Sequence, residues 1–113
     1  MRHVSIRGKK GFKVVLETRT SQGAVMVIKP GESTSDGPEN EHPKAEQWVY
    51  VVAGTGRAIV GKTRRALKEG SLLVIERGEP HQITNTGRRE MVTVNVYVPP
   101  AYTKEGEVKR GAR

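Results

Sequence analysis

A chain of 113 residues with 20 Lys and Arg against 12 Asp and Glu is long enough for one packed core and too short for two. It has no cysteine, which excludes disulfides and thiolate ligands, suits a reducing cytoplasm, and leaves any metal to nitrogen and oxygen donors. No apolar run nears the roughly 20 residues of a membrane span, and the opening segment MRHVSIRGKKGFKVVLE lacks the apolar stretch of a secretory signal.

Residues 1–11 read as a basic arm or edge strand, 12–102 as a single domain, and 103–113 as a polar tail expected to be flexible. Within the domain, short Val/Ile/Leu-rich runs fall at 12–18, 24–31, 47–54, 57–61, 71–78, 81–85 and 90–100, each bounded by turn-forming residues. No segment holds apolar residues at helical spacing for three turns, so seven short strands predict an all-β sandwich or barrel. In the last run Val92, Val94, Val96 and Val98 alternate with Met91, Thr93, Asn95 and Tyr97. Period-2 alternation puts these sets on opposite faces. Thr93, Asn95 and Tyr97 are the natural lining of a small-molecule cavity, with ordinary core packing as the alternative; the valines suit a partner sheet, such as one from a second subunit.

The charge is unevenly spread. Basic side chains gather in 1–29 and 57–69, whereas 31–46 carries Glu32, Asp36, Glu39, Glu41 and Glu46 against Lys44 alone. With one Trp, one Phe and three Tyr there is little aromatic surface for stacking bases, so a nucleic-acid partner is not expected. The basic excess reads instead as a solvated, heat-tolerant surface.

Two stretches carry chemistry. From Gly70 to Asn85 the chain reads GSLLVIERGEPHQITN, with Gly70, Gly78, His81 and Asn85 in the spacing G-x5-P-x-G-x2-H-x3-N and Glu76 at the proline position. This resembles the second motif of the cupin superfamily. The stretch ENEHPKAEQWVYVVAGTG, residues 39–56, resembles its first motif, G-x5-H-x-H-x3-4-E-x6-G. Counting back from Gly54 puts Gln47 at the glutamate, His42 at the second histidine and Asn40 at the first, while the leading glycine is out of register.

The resemblance covers about residues 12 to 102. It implies a double-stranded β-helix, or jelly-roll barrel, in a small single-domain cupin that is commonly a homodimer. It further implies that His42, Gln47 and His81, with Asn40 or water as a fourth donor, hold a divalent transition metal (Mn, Fe, Ni, Zn or Cu). Glu39, Glu41 and Glu46 would support those donors from outside, and Trp48 and Tyr50, on the other strand face from Gln47, would pack or meet a second subunit. Two amides where the family has imidazole and carboxylate remove charge and weaken the site. They also leave no carboxylate base among the donors; Glu46, Glu76 and Tyr97 are the remaining acid–base candidates. The expected function is therefore a metal-binding cupin that binds or acts on a small oxygenated molecule, such as a sugar, uronate or dicarbonyl acid. Isomerase, lyase and dioxygenase chemistry all occur in that superfamily. The alternative is a small-molecule-binding module without metal chemistry.

Overall fold

The computed structural model describes residues 1–112. Its strands are β1 (Phe12–Glu17), β2 (Gln22–Ile28), β3 (Glu46–Ala53), β4 (Gly56–Val60), β5 (Thr63–Leu67), β6 (Leu72–Ile75), β7 (His81–Asn85) and β8 (Met91–Val98). They form a five-stranded sheet in the order β1-β2-β8-β3-β6 and a three-stranded sheet in the order β5-β4-β7. All pairings are antiparallel, giving an all-β jelly-roll barrel with the core between the sheets.

Sequence reading yields seven strands and misses β5. Its residues TRRAL show no apolar alternation, and the first four are exposed. β5 is an edge strand, so backbone pairing to β4 holds it, and Arg64 and Arg65 discourage the addition of a foreign strand. The β4–β5 turn is Gly61-Lys62, with Gly61 at φ +58°, the conformation a II′ hairpin turn requires at its first position.

The alternation in β8 organises the interior. Met91, Thr93, Asn95 and Tyr97 are all buried, while Val92, Val94, Val96 and Val98 face outward and are half-buried or exposed. Met91 belongs to an apolar cluster with Ile28, Val49, Val51, Ala58, Leu67, Ile75 and Ile83. Tyr97 belongs to a second cluster with Ala24, Ala45, Ala101 and Tyr102. Thr93 and Asn95 lie between Met91 and Tyr97 along the strand. Each large aliphatic side chain buried here stabilises the fold by about 1.5–3 kcal/mol, whereas the polar pair must be hydrogen-bonded to avoid a penalty.

On the outer face, Trp48 pairs across the sheet with Val74 and Val96, and Tyr50 with Leu72 and Val94. Trp48, Tyr50, Leu72, Val74 and Val96 are all exposed, Leu72 at 63%.

Residues 101–112 carry definite bonds in the structure. Tyr102 bridges to Val108, Lys109 N–H donates to the Ala101 carbonyl, and the Lys109 ammonium meets Glu17 at 2.8 Å. That bond to Lys109 is the main reason the Glu17 carboxyl titrates below its ordinary value. Gln22, buried in β2, anchors the start of this segment: its Oε1 accepts from the Ala101 and Tyr102 amides, and its Nε2 donates to the Tyr102 carbonyl and to Glu17. Lys109–Glu17 is the only ion pair among the described residues, and an exposed pair contributes about 1 kcal/mol at most. The basic excess is thus solvated, and the ion-pair networks that would support heat tolerance do not form among these residues.

Candidate functional site

The acidic segment before β3 is held against the smaller sheet like an extra strand. Thr34 N–H donates to the Ile83 carbonyl, Asn85 N–H to Glu32, and Glu39 and His81 exchange both backbone bonds at 3.1 and 2.9 Å. Pairing with β7 brings His42 to His81, with ring centroids 5.0 Å apart. Asn85 fixes the turn after β7: its Nδ2 donates to the Ile28 and Arg89 carbonyls and its Oδ1 accepts from Gly87 N–H.

His42 is buried to 1% exposure and packs against Tyr97 and Tyr102 as well as His81. Its Nδ1 is 3.3 Å from the Ala45 carbonyl, and its Nε2 is 3.0 Å from Gln47 Oε1. The Gln47 amide nitrogen donates to Asn95 Oδ1 at 2.9 Å. Asn95 Nδ2 donates to Thr93 Oγ1 at 2.9 Å, and the Thr93 hydroxyl donates to the Met26 carbonyl at 2.9 Å. The direction of this chain is set at its far end, because the Met26 carbonyl can only accept. Both ring nitrogens of His42 therefore face oxygens, and a neutral imidazole has only one N–H. With that proton on Nε2 the ring donates to Gln47 Oε1 at 3.0 Å and leaves the Nδ1 lone pair toward the Ala45 carbonyl at 3.3 Å; with it on Nδ1, two lone pairs meet between Nε2 and Oε1. In the second tautomer a cation coordinated by both atoms would remove the conflict.

His81 Nδ1 lies 2.9 Å from the Glu79 carbonyl, so this nitrogen carries the proton and Nε2 keeps its lone pair. Burial holds the His81 ring below the ordinary imidazole value, and His42 adds to that; the Glu79 carbonyl and Glu39 act the other way. Burial also pushes the Tyr97 hydroxyl well above the ordinary phenol range, helped by Tyr102 and Glu41. Tyr97 is thus a neutral donor.

A cavity of about 230 Å³ opens beside these groups. Gln47, His81 and Tyr97 line it, together with Phe12, Met26, Ile83, Tyr102, Thr34, Ser35, Glu39, Glu41 and Gly106. Of the predicted metal donors, the fold brings His42, Gln47 and His81 together. Asn40 is not among them: its Oδ1 accepts the His42 N–H at 3.1 Å and shapes the loop instead. Of the predicted ligand contacts, only Tyr97 reaches the cavity. Thr93 and Asn95 face inward as expected but satisfy Gln47 and the backbone instead. Glu46 turns outward and accepts from Trp48 Nε1, and Glu76 is exposed, so neither carboxylate reaches the donors. Phe12, Thr34, Ser35, Tyr102 and Gly106 have no motif to announce them, since they come from β1, the loop and the tail.

Among the described residues no three His, Cys, Asp or Glu side chains gather to hold a metal. The three residues offer two imidazoles and an amide oxygen, a combination that would suit a borderline transition ion and would bind it more weakly than a set with a carboxylate.

Residues 24–97 match the cupin domain family, and the chain belongs to it. The chain is 34% identical over 87 residues to Protein SchB of Streptomyces halstedii, covering 72% of this chain and 61% of that one. It is 31% identical over 101 residues to an uncharacterized protein of Acanthamoeba polyphaga mimivirus, covering 86% of this chain and 61% of that one. The chain thus spans about three fifths of each of these relatives. Among solved structures, BH2720 from Bacillus halodurans superposes with a TM-score of 0.81 at 23% identity, over 90% of this chain and 79% of that one, a likeness of fold. Among the described residues no helix is long and apolar enough to cross a membrane.

Proposed function

We propose that this cupin holds a divalent transition metal (Mn, Fe, Ni, Zn or Cu) through His42, Gln47 and His81, and binds or acts on a small oxygenated molecule in the adjoining cavity. The observation that carries this reading is the 3.0 Å meeting of His42 Nε2 with Gln47 Oε1 beside the His81 ring. A metal there would supply Lewis acidity toward an oxygen of the bound molecule. The chain's own part is positioning: Ala45 and Glu79 orient the two imidazoles, Asn95 orients the Gln47 amide, and Tyr97 offers a neutral hydroxyl.

Elemental analysis and zinc calorimetry of untagged protein test the reading, with Gln47→Glu in parallel. A carboxylate at position 47 adds a negative charge at the donor set and is expected to tighten zinc by at least about tenfold. No zinc uptake by the wild type, or no gain in the variant, would sink the metal assignment. A second reading, a binding module without metal chemistry, draws on Glu46 and Glu76 standing away from the donors, which leaves no carboxylate base beside them.

The proposal extends to a cytoplasmic homodimer. The lack of cysteine suits a reducing compartment, and the exposed face of Trp48, Tyr50, Leu72, Val74 and Val96 suits burial against a second copy. Trp48→Glu is expected to convert a dimer to a monomer in sedimentation at micromolar concentration; a wild type that already sediments as a monomer would refute the dimer.

A further inference from the structure

We infer that the metal-free cavity selects a neutral or positively charged molecule with one hydroxylated ring, and turns away carboxylic acids of the same shape. The inference rests on the reading of this cavity as the ligand site and narrows it from oxygenated molecules in general to one charge class.

Size comes first. About 230 Å³ holds roughly eight waters at liquid density, so the cavity takes a single ring with its substituents, and any longer molecule would extend from its open side into solvent. Shape comes next. Phe12 and Tyr102 lie 4.8 Å apart by ring centroid and Tyr97 and Tyr102 5.0 Å, and with Met26 and Ile83 they give the cavity an apolar, aromatic side. A flat ring meets such a wall at little cost in ordering. The remaining lining is polar: the Thr34 hydroxyl accepts from Ile83 N–H and keeps its proton to donate, while the Ser35 hydroxyl, whose proton goes to the Gly37 carbonyl, and His81 Nε2 can accept from ligand hydroxyl groups.

Charge decides the class. Glu39 and Glu41 line the cavity, and among the described residues no Lys or Arg does. The chain as a whole carries a net charge of +8, which would draw anions from a distance. That long-range field is screened beyond roughly 8 Å at physiological salt, so the two carboxylates govern the cavity itself. With no metal on His42, Gln47 and His81, an acid entering it would meet two like charges and, among the described residues, find no guanidinium or ammonium to pair with. Both glutamates are exposed, so solvent limits the discrimination to a factor of several rather than thousands.

The test is a set of ¹H–¹⁵N NMR titrations of chelator-treated protein at pH 7 with 4-hydroxybenzyl alcohol, 4-hydroxybenzylamine and 4-hydroxybenzoate, following the amides of Thr34, Ser35 and Gly106. The alcohol and the amine are expected to bind at least about fivefold more tightly than the benzoate. In the double variant Glu39→Gln/Glu41→Gln that preference should fall toward one. Both side chains are exposed and make no hydrogen bond among the described residues, so the variant should fold. Benzoate binding as tightly as the alcohol, or a preference that survives in the double variant, would overturn the inference. Failure of all three probes to move the cavity amides would overturn the cavity as ligand site and this inference with it. Discrimination without zinc uptake would leave the charge inference standing and remove only the metal.

Discussion

His42→Ala is expected to abolish zinc uptake and to lower the melting temperature by roughly 10 °C or more, whereas His81→Ala should abolish uptake at a much smaller cost in stability. The two histidines are symmetrical in the motif and unequal in the fold. His42 is fully buried, touches Tyr97, Tyr102 and His81, and occupies the end of the chain of bonds that runs through Gln47, Asn95 and Thr93 to the Met26 carbonyl. Deleting the ring leaves a cavity and strips Gln47 Oε1 of its neighbour, a loss of about 2–4 kcal/mol. His81 is only partly buried, and its ring bond goes to the Glu79 carbonyl two residues away, in a loop where water can replace it. Thermal melts and zinc calorimetry on both variants read the two quantities separately. Equal destabilisation by both would show that the burial difference has no energetic weight.

The second large effect is at Gly54, the residue from which Gln47 is found by spacing. Gly54→Ala is expected to destabilise by about 3 kcal/mol or more. The backbone there has φ +89°, and an added Cβ would sit 2.7 Å from the Glu90 carbonyl oxygen and 2.9 Å from Met91 Cα, both main-chain atoms that cannot rotate away. Gly61→Ala is the matched control: its φ is +58° with no atom within 4 Å of the added Cβ, so only the conformational cost of about 1 kcal/mol applies. Urea unfolding of the pair separates steric exclusion from backbone strain. Equal losses would show that the approach of Glu90 and Met91 does not constrain the site. The motif glycine thus marks where β3 ends against the start of β8.

What could be read from residues alone follows from how local each signal is. The jelly-roll barrel, the inward face of β8 and the grouping of His42, Gln47 and His81 were legible, because alternation and motif spacing are properties of single strands and their flanks. β5 was not, because an edge strand is held by its backbone and its side chains carry no pattern. Thr93 and Asn95 were assigned to the cavity because inward-facing and cavity-lining look the same in a period-2 pattern. The difference is a hydrogen bond to Gln47, 48 residues away from Asn95, which no local reading contains. Glu39 and Glu41 were visible as acids, but only the pairing of their loop with β7 shows that they line the cavity while Glu46 turns away.

Gln22 carries a consequence for anyone reading mutational data on this protein. It does not line the cavity, yet it fixes the main chain of Tyr102, which does. The same side chain reaches Glu17, the partner of Lys109, so one buried amide sets how the last strand's continuation lies across the barrel. If the cavity is the ligand site proposed above, variation at residue 22 is expected to alter ligand preference while every lining residue keeps its identity. A screen that scores residues by their distance from the bound molecule would pass it over.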